Sequence, residues 1–174
     1  DIVLEGEVST LLEIGYGPGL DMVWFAHQDR VSAVHGLDIT PNFQEIVSQK
    51  AKTIKGIHPY LGGPEQCLDH LEEGSVDTVY VFFGALNTCA NLNSAAEHIA
   101  RVLKPGGRII ILEFSIPQNK LLKTFYQYYF NLILPKIGNL ISGHSNAYTY
   151  LPESVANFPN QKKFVEIILI ITIY

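Results

Sequence analysis

The chain is short of cysteine, of basic charge and of long uncharged apolar runs, and each shortage removes a class of protein. Its 174 residues hold two cysteines, Cys67 and Cys89. That spacing builds neither a disulfide framework nor a zinc site, so a reducing, cytoplasmic compartment is expected. The six histidines, at 27, 35, 58, 70, 98 and 144, include no pair at i, i+3 or i+4. No metal site on a helix is expected. Residues 1–118 carry 7 Lys+Arg against 15 Asp+Glu, a net of −8, whereas residues 119–174 carry 5 against 2, a net of +3. An acidic body lacks the basic footprint that phosphates require, which excludes nucleic acid as the main partner. No signal peptide is expected. The most apolar window, Leu121–Ile141, contains Lys123, Pro135, Lys136 and Gly138 and suits a spanning helix poorly. The chain starts without methionine directly before its first expected strand, and Pro159 leaves little room for a helix before Phe164. Residues are expected to be absent at the amino terminus and near Lys163.

What is present is a globular composition, 47% hydrophobic and 17% charged, enough for one domain with a real core. Short apolar runs read as strands at Thr10–Ile14, Val31–Ile39, Val76–Phe83 and Arg108–Ser115. Helices are expected at Leu20–Gln28, Asn42–Lys52 and, capped by Asn93 or Ser94, up to Leu103. Lys104–Gly107 turns the chain after that helix. Residues 53–63 show no clear element because Pro59, Gly62 and Gly63 interrupt them, and Pro64–Leu71 reads as one or two helical turns. Strands alternating with helices predict an α/β fold: a Rossmann-like, open, mostly parallel sheet with helices on both faces. Ligands then bind beyond the carboxyl ends of the strands, which directs attention to Ile14, Asp38, Phe83 and Phe114.

The tail differs. Leu121, Phe125, Tyr128 and Leu132 form an apolar stripe and Lys120, Thr124, Gln127 and Asn131 a polar one, an amphipathic helix that ends before Pro135. Phe164–Tyr174 reads as one strand. The expected organisation is a single domain over residues 1–174: a cofactor-binding core at 1–118, a helical substrate cap at 119–157, and a return to the sheet at 158–174.

The strongest local signal is Glu13-Ile14-Gly15-Tyr16-Gly17-Pro18-Gly19. Glycines let a backbone turn tightly off a strand and approach a ligand closely, and the next helix offers backbone donors. A dinucleotide site wants a third glycine at position 20, where Leu20 stands. The observed E-x-G-x-G-x-G pattern instead resembles the first motif of class I S-adenosylmethionine-dependent methyltransferases. That resemblance makes S-adenosyl-L-methionine the expected cofactor. Its ammonium suits an acid at Glu13, which would repel a pyrophosphate. Asp38 suits its ribose hydroxyls.

The second half is more specific. Val76–Gly84, Arg101–Arg108 and Leu112-Glu113-Phe114-Ser115 look like the later strands of such an enzyme. Tyr126–Phe130, Leu140–Gly143, Ala147-Tyr148, Tyr150–Ser154 and Phe158-Pro159 resemble the ubiquinone/menaquinone biosynthesis C-methyltransferases. The resemblance implies an enzyme that methylates a quinol or related lipophilic phenol. It also implies cofactor contacts from Glu13, Gly15, Tyr16, Gly17, Gly19, Asp38, Glu65, Gln66 and Phe83. Three departures stand out. Leu86 takes the place of an arginine implicated in handling the ring oxygen. Gly63-Pro64-Glu65-Gln66 replaces the usual acid-bearing motif near adenine. Tyr16 replaces a small residue of the glycine loop.

A ring carbon becomes nucleophilic when the neighbouring phenol loses its proton, so a base or oxyanion donor is required. Candidates are His144, Tyr148, Tyr150 and Asn87; Glu113 reads as a structural acid as readily as a catalytic one. A prenylated acceptor would bring the protein to a membrane surface, while the cap helix suits packing better than anchoring. Two alternatives stay open: a small-molecule O- or N-methyltransferase, favoured by Leu86, and a non-catalytic binding protein whose pocket Tyr16 fills. Oligomeric state is not legible.

Overall fold

The structure, a computed structural model, describes residues 2–113, 117, 119–134, 136, 137, 159 and 161–171. Two compact units divide the chain: Asp1–Glu113 with Ile167–Tyr174, and Phe114–Glu166.

In the first unit five strands, β1 (Thr10–Ile14), β2 (Ala33–Asp38), β3 (Ile57–Leu61), β4 (Val76–Phe82) and β5 (Leu103–Leu112), form one sheet in the order β3-β2-β1-β4-β5. Every pairing is parallel, as expected for strands joined by crossovers. Helices α1 (Leu20–Ala26) and α2 (Pro41–Ala51) carry the chain out from β1 to β3. The chain then returns through a 3₁₀ segment, Pro64–Asp69, to lay β4 on the other side of β1. The strand order therefore reverses between β1 and β4, the switch point at which such sheets bind ligands.

Alternation along the strands supplies two apolar faces. Leu11, Val34 and Tyr80 meet Met22, Phe25 and Val47 in one buried cluster; Leu12, Val79 and Val81, also buried, point the other way. Helix α3 (Leu92–Val102) buries Ala95, Ala96, Ile99 and Val102, the i, i+4, i+7 stripe of an amphipathic helix. Its cap is Asn91 rather than Asn93 or Ser94: Asn91 Oδ1 accepts from the amides of both, at 3.1 and 3.2 Å. The helix starts two or three residues earlier than the sequence suggested, and the two residues expected to cap it are the ones being capped.

Three further expectations change. Strand β3 runs straight through Pro59. It is an edge strand paired only with β2, and an edge tolerates the missing amide of proline. Lys104–Gly107 does not precede β5 but bulges within it: Val76 pairs with Leu103 and Thr78 with Arg108, with Gly106 at φ 78° absorbing the turn. Residues Gln161–Ile171 form helix α5, not a strand. The apolar stretch Ile167–Ile171 has no period to read, whereas Lys162, Lys163 and Glu166 before it recur at helical spacing.

In the second unit, helix α4 (Lys120–Tyr128) is capped by Asn119, whose Oδ1 accepts from Leu121 and Leu122 at 2.9 and 3.2 Å. It winds on through a π-helical turn, Tyr129–Ile133.

One packing contact is tight enough to test. A Cβ at Gly36 would lie 2.6 Å from Tyr16 Cδ1 and 2.8 Å from Met22 Sδ, both of them buried side chains. Gly36→Ala is expected to destabilise the fold by about 1–3 kcal/mol through overpacking, read as a lower midpoint in chemical denaturation.

Candidate active site at the sheet's switch point

The glycine loop leaves β1 with three positive φ angles, Gly15 at 78°, Gly17 at 51° and Gly19 at 71°, a region that only glycine enters freely. The three serve different ends. A Cβ at Gly15 would sit 2.5 Å from Ala85 Cβ, and one at Gly19 would sit 2.6 Å from Val47 Cγ2. A Cβ at Gly17 would meet nothing within 4 Å. Gly15 and Gly19 are thus closed by packing, while Gly17 offers bare backbone to open space.

Asp38, at the carboxyl end of β2, joins three segments. Its Oδ2 accepts from Gly17 N at 2.9 Å, its Oδ1 from Thr40 N at 2.8 Å, and its carbonyl from Gly62 N at 2.9 Å. A carboxylate has about four lone-pair sites, so two stay available for a diol. Ile39 follows with 60% of its surface exposed, beside Gly63, whose Cβ would lie 3.8 Å from its Cγ2. This apolar platform next to the acid escaped sequence reading; an isoleucine ending a strand looks like core.

Tyr16 turns inward. It is 3% exposed, and its hydroxyl donates to the Tyr60 carbonyl at 3.2 Å. Burial, then the charge of Asp38, pushes its pKa upward. Its side chain therefore belongs to the core, and only its backbone shares the loop surface. The reading in which Tyr16 fills the pocket loses its basis.

Glu13 is buried as well. Tyr80 Oη donates to its Oε2 at 2.8 Å. Burial raises its pKa to about 8 against the opposing hydrogen bond from Tyr80, so the carboxyl is largely protonated at neutral pH. The fixed anion expected from the sequence is here a neutral acid until a cation approaches.

Gln66 and Glu65 lie in the 3₁₀ segment after β3. Gln66 Oε1 accepts from Gly63 N at 3.1 Å, and Glu65 Oε1 accepts from Asn91 N at 3.2 Å, tying that segment to α3. Beyond β4, Phe83 has φ 57° and is 65% exposed. Leu86 is buried at 3%. Asn87 follows in the short 3₁₀ turn Leu86–Thr88, and both ends of its side-chain amide are buried without a hydrogen-bond partner. An orphaned buried amide is costly and marks unspent hydrogen-bonding capacity. His144, Tyr148 and Tyr150 lie outside the described residues.

Burial pushes the thiols of Cys67 and Cys89 up to about 12, which removes both as nucleophiles. Among the described residues no cluster of three metal-ligating side chains occurs.

Comparison with known proteins agrees with this geometry. The ubiE/COQ5 methyltransferase family matches residues 3–170. A demethylmenaquinone methyltransferase from Thermus thermophilus is 33% identical over 159 residues, 91% of this chain and 71% of its own length. A ubiquinone/menaquinone biosynthesis C-methyltransferase, UbiE, from Citrifermentans bemidjiense is 35% identical over 88% of this chain and 66% of its own length. The chain thus spans about two thirds of these relatives. Among solved structures, the YcgJ protein from Bacillus subtilis superposes with a TM-score of 0.68 at 19% identity, over 95% of this chain and 62% of its own. An arsenic(III) S-adenosylmethionine methyltransferase from Chlamydomonas reinhardtii gives 0.66 at 18% identity, over 98% of this chain and 54% of its own. At such identities these two likenesses concern the fold.

Proposed function

The chain belongs to the ubiE/COQ5 methyltransferase family, and from that premise we propose that it transfers a methyl group from S-adenosylmethionine to a ring carbon of a lipophilic quinol. One observation carries the acceptor class: the relatives that match along most of the chain are named for demethylmenaquinone or for ubiquinone/menaquinone biosynthesis. A shorter match of 49% identity over 89 residues is to a mitochondrial 2-methoxy-6-polyprenyl-1,4-benzoquinol methylase from Dictyostelium discoideum, over 51% of this chain and 28% of its own length.

The site fits the cofactor by its own chemistry. Gly17 supplies open backbone, Asp38 retains acceptor capacity for a diol, and Ile39 exposes an apolar surface for a flat base. Glu13 supplies a carboxyl that an ammonium group would ionise. Glu65, Gln66 and Phe83 stand at the neighbouring strand ends as further proposed contacts. When bound, S-adenosylmethionine supplies a sulfonium methyl as electrophile. The protein's tasks are to align the acceptor carbon with it, a contribution of roughly 7–11 kcal/mol when well done, and to stabilise the deprotonated ring oxygen. Asn87 is proposed to spend its unpartnered amide on that oxygen, with His144 or Tyr148 taking the proton.

The acceptor's tail is proposed to meet residues 119–157. No residue of α4 is buried; Leu121, Leu122, Phe125 and Tyr128 are all more than half exposed. Lys120 and Lys123 flank them. Such a face suits a prenyl chain or the surface of the membrane that delivers it. No helix among the described residues is long and apolar enough to cross a membrane. A second reading, methylation at oxygen or nitrogen, draws on Leu86, which brings an apolar side chain rather than a cation to the turn after β4.

The deciding experiment is acceptor profiling on the whole protein with labelled cofactor. Reduced demethylated quinols bearing short prenyl tails are expected to gain a carbon-bound methyl. Transfer to hydrophilic amines or carboxylates with none to quinols would replace this reading with the second.

A further inference from the structure

We propose that Glu113 is a positioning residue: its carboxylate clamps the turn after β4, holds Ala85 against Gly15, and so fixes where Asn87 presents its amide. The inference rests on the methyltransferase reading above for its kinetic consequences, though not for its geometry.

That turn is an unusual piece of backbone. Phe83 adopts φ 57° and Gly84 φ 104°. A bulky residue stays in the left-handed region only where its surroundings hold it there. The last rung of the sheet is Phe83 N to the Leu112 carbonyl at 2.8 Å. Immediately beyond that rung, Glu113 takes over. Its Oε2 accepts from Gly84 N at 2.6 Å, and its Oε1 accepts from Leu86 N at 3.1 Å. One carboxylate thereby satisfies two amides that the turn withdraws from the sheet, by charge-assisted bonds of the stronger kind. Both oxygens accept from the backbone of this one turn, which is the arrangement of a clamp.

The clamped turn abuts the glycine loop. The 2.5 Å that would separate a Gly15 Cβ from Ala85 Cβ shows that the two loops touch at the switch point. Leu86 is locked into the interior, and the orphaned amide of Asn87 comes next. Glu113, the residue after β5, is thus the group that sets the acceptor-side turn against the cofactor-side loop. The glycine loop has other supports, Gly15 N to the Leu37 carbonyl at 2.7 Å and Gly17 N to Asp38. Loss of the clamp should therefore fall on turnover more than on cofactor affinity.

The test uses Glu113→Gln and Glu113→Asp in the whole protein. Glutamine keeps the size but has one acceptor oxygen and turns an NH₂ toward the other amide. Hydrogen exchange at the Gly84 and Leu86 amides is expected to accelerate about tenfold or more, with the amides of β1 and β2 unchanged. With a short-tailed reduced demethylated quinol, kcat is expected to fall about tenfold or more, as a small misplacement at a reacting centre does. The dissociation constant of S-adenosylmethionine should move less than about threefold, since its supports remain. Glu113→Asp keeps both oxygens and is expected to recover part of the turnover; it also decides the matter if the glutamine variant does not fold. Unchanged kcat in a folded variant, or exchange that rises uniformly across the sheet with a proportionate loss of activity, would overturn the proposal. A wild-type protein that methylates no quinol would overturn the proposed acceptor instead, and exchange at Gly84 and Leu86 would still judge the clamp.

Discussion

Asp38→Ala is expected to weaken S-adenosylmethionine binding by about a hundredfold or more, near 2.7 kcal/mol. Two losses combine. The ribose hydroxyls lose a charged acceptor, and hydrogen bonds to charged groups contribute roughly 1.5–3 kcal/mol. The amides of Gly17 and Thr40, which Asp38 holds at 2.9 and 2.8 Å, lose their partner as well, so the loop that presents open backbone at Gly17 relaxes. Asp38→Asn separates the two losses. Asparagine keeps one acceptor oxygen for one of the amides and places an NH₂ against the other, so its affinity should fall between wild type and alanine. Titration calorimetry with S-adenosylmethionine or S-adenosylhomocysteine reads all three. An alanine variant that folds and binds as tightly as wild type would remove Asp38 from the site.

Asp38 and the glycine loop were legible in the sequence because their signal is local: a strand, three glycines at alternate positions, a helix, a strand and an acid. The parallel order followed from strand–helix alternation. What escaped reading depends on partners distant in sequence. Pro59 argued against a strand until the sheet placed β3 at its edge. Tyr16 looked like an obstruction because nothing in its neighbours reveals that Gly36, twenty positions on, leaves room for its ring. The direction of Glu113 was open for the same reason: its amide partners, Gly84 and Leu86, lie on another strand's turn. The apolar run of α5 had no period to read, so its β-branched residues suggested a strand where length and the spacing of Lys162 and Glu166 favour a helix.

Glu13 yields the largest expected dependence on pH. In the unfolded chain its carboxyl titrates near 4.5; in the fold, burial raises it to about 8. Tyr80 donates to it at 2.8 Å, and the hydroxyl of Tyr80, buried beside it, is pushed well above its usual range, by burial first and then by Glu13. A raised folded pKa means that the folded state binds the extra proton. The stability associated with Glu13 is therefore fully present below about pH 4.5 and is lost as pH rises through about 8. At 1.36 kcal/mol per unit, the span corresponds to roughly 3–5 kcal/mol. Glu13→Gln keeps an acceptor for the Tyr80 hydroxyl and removes the ionisation. The variant should lose this decline and be more stable than wild type at pH 8, as urea denaturation at a series of pH values would show. The same substitution should weaken the cofactor, because a glutamine cannot become the anion that an ammonium group calls for. In wild type, S-adenosylmethionine binding near pH 7 should release a proton from Glu13, seen as a calorimetric heat that changes with the ionisation enthalpy of the buffer. Parallel stability curves for the two proteins, with no buffer dependence of the binding heat, would mean that Glu13 titrates in the fold as it does in the unfolded chain and is already ionised before the cofactor arrives.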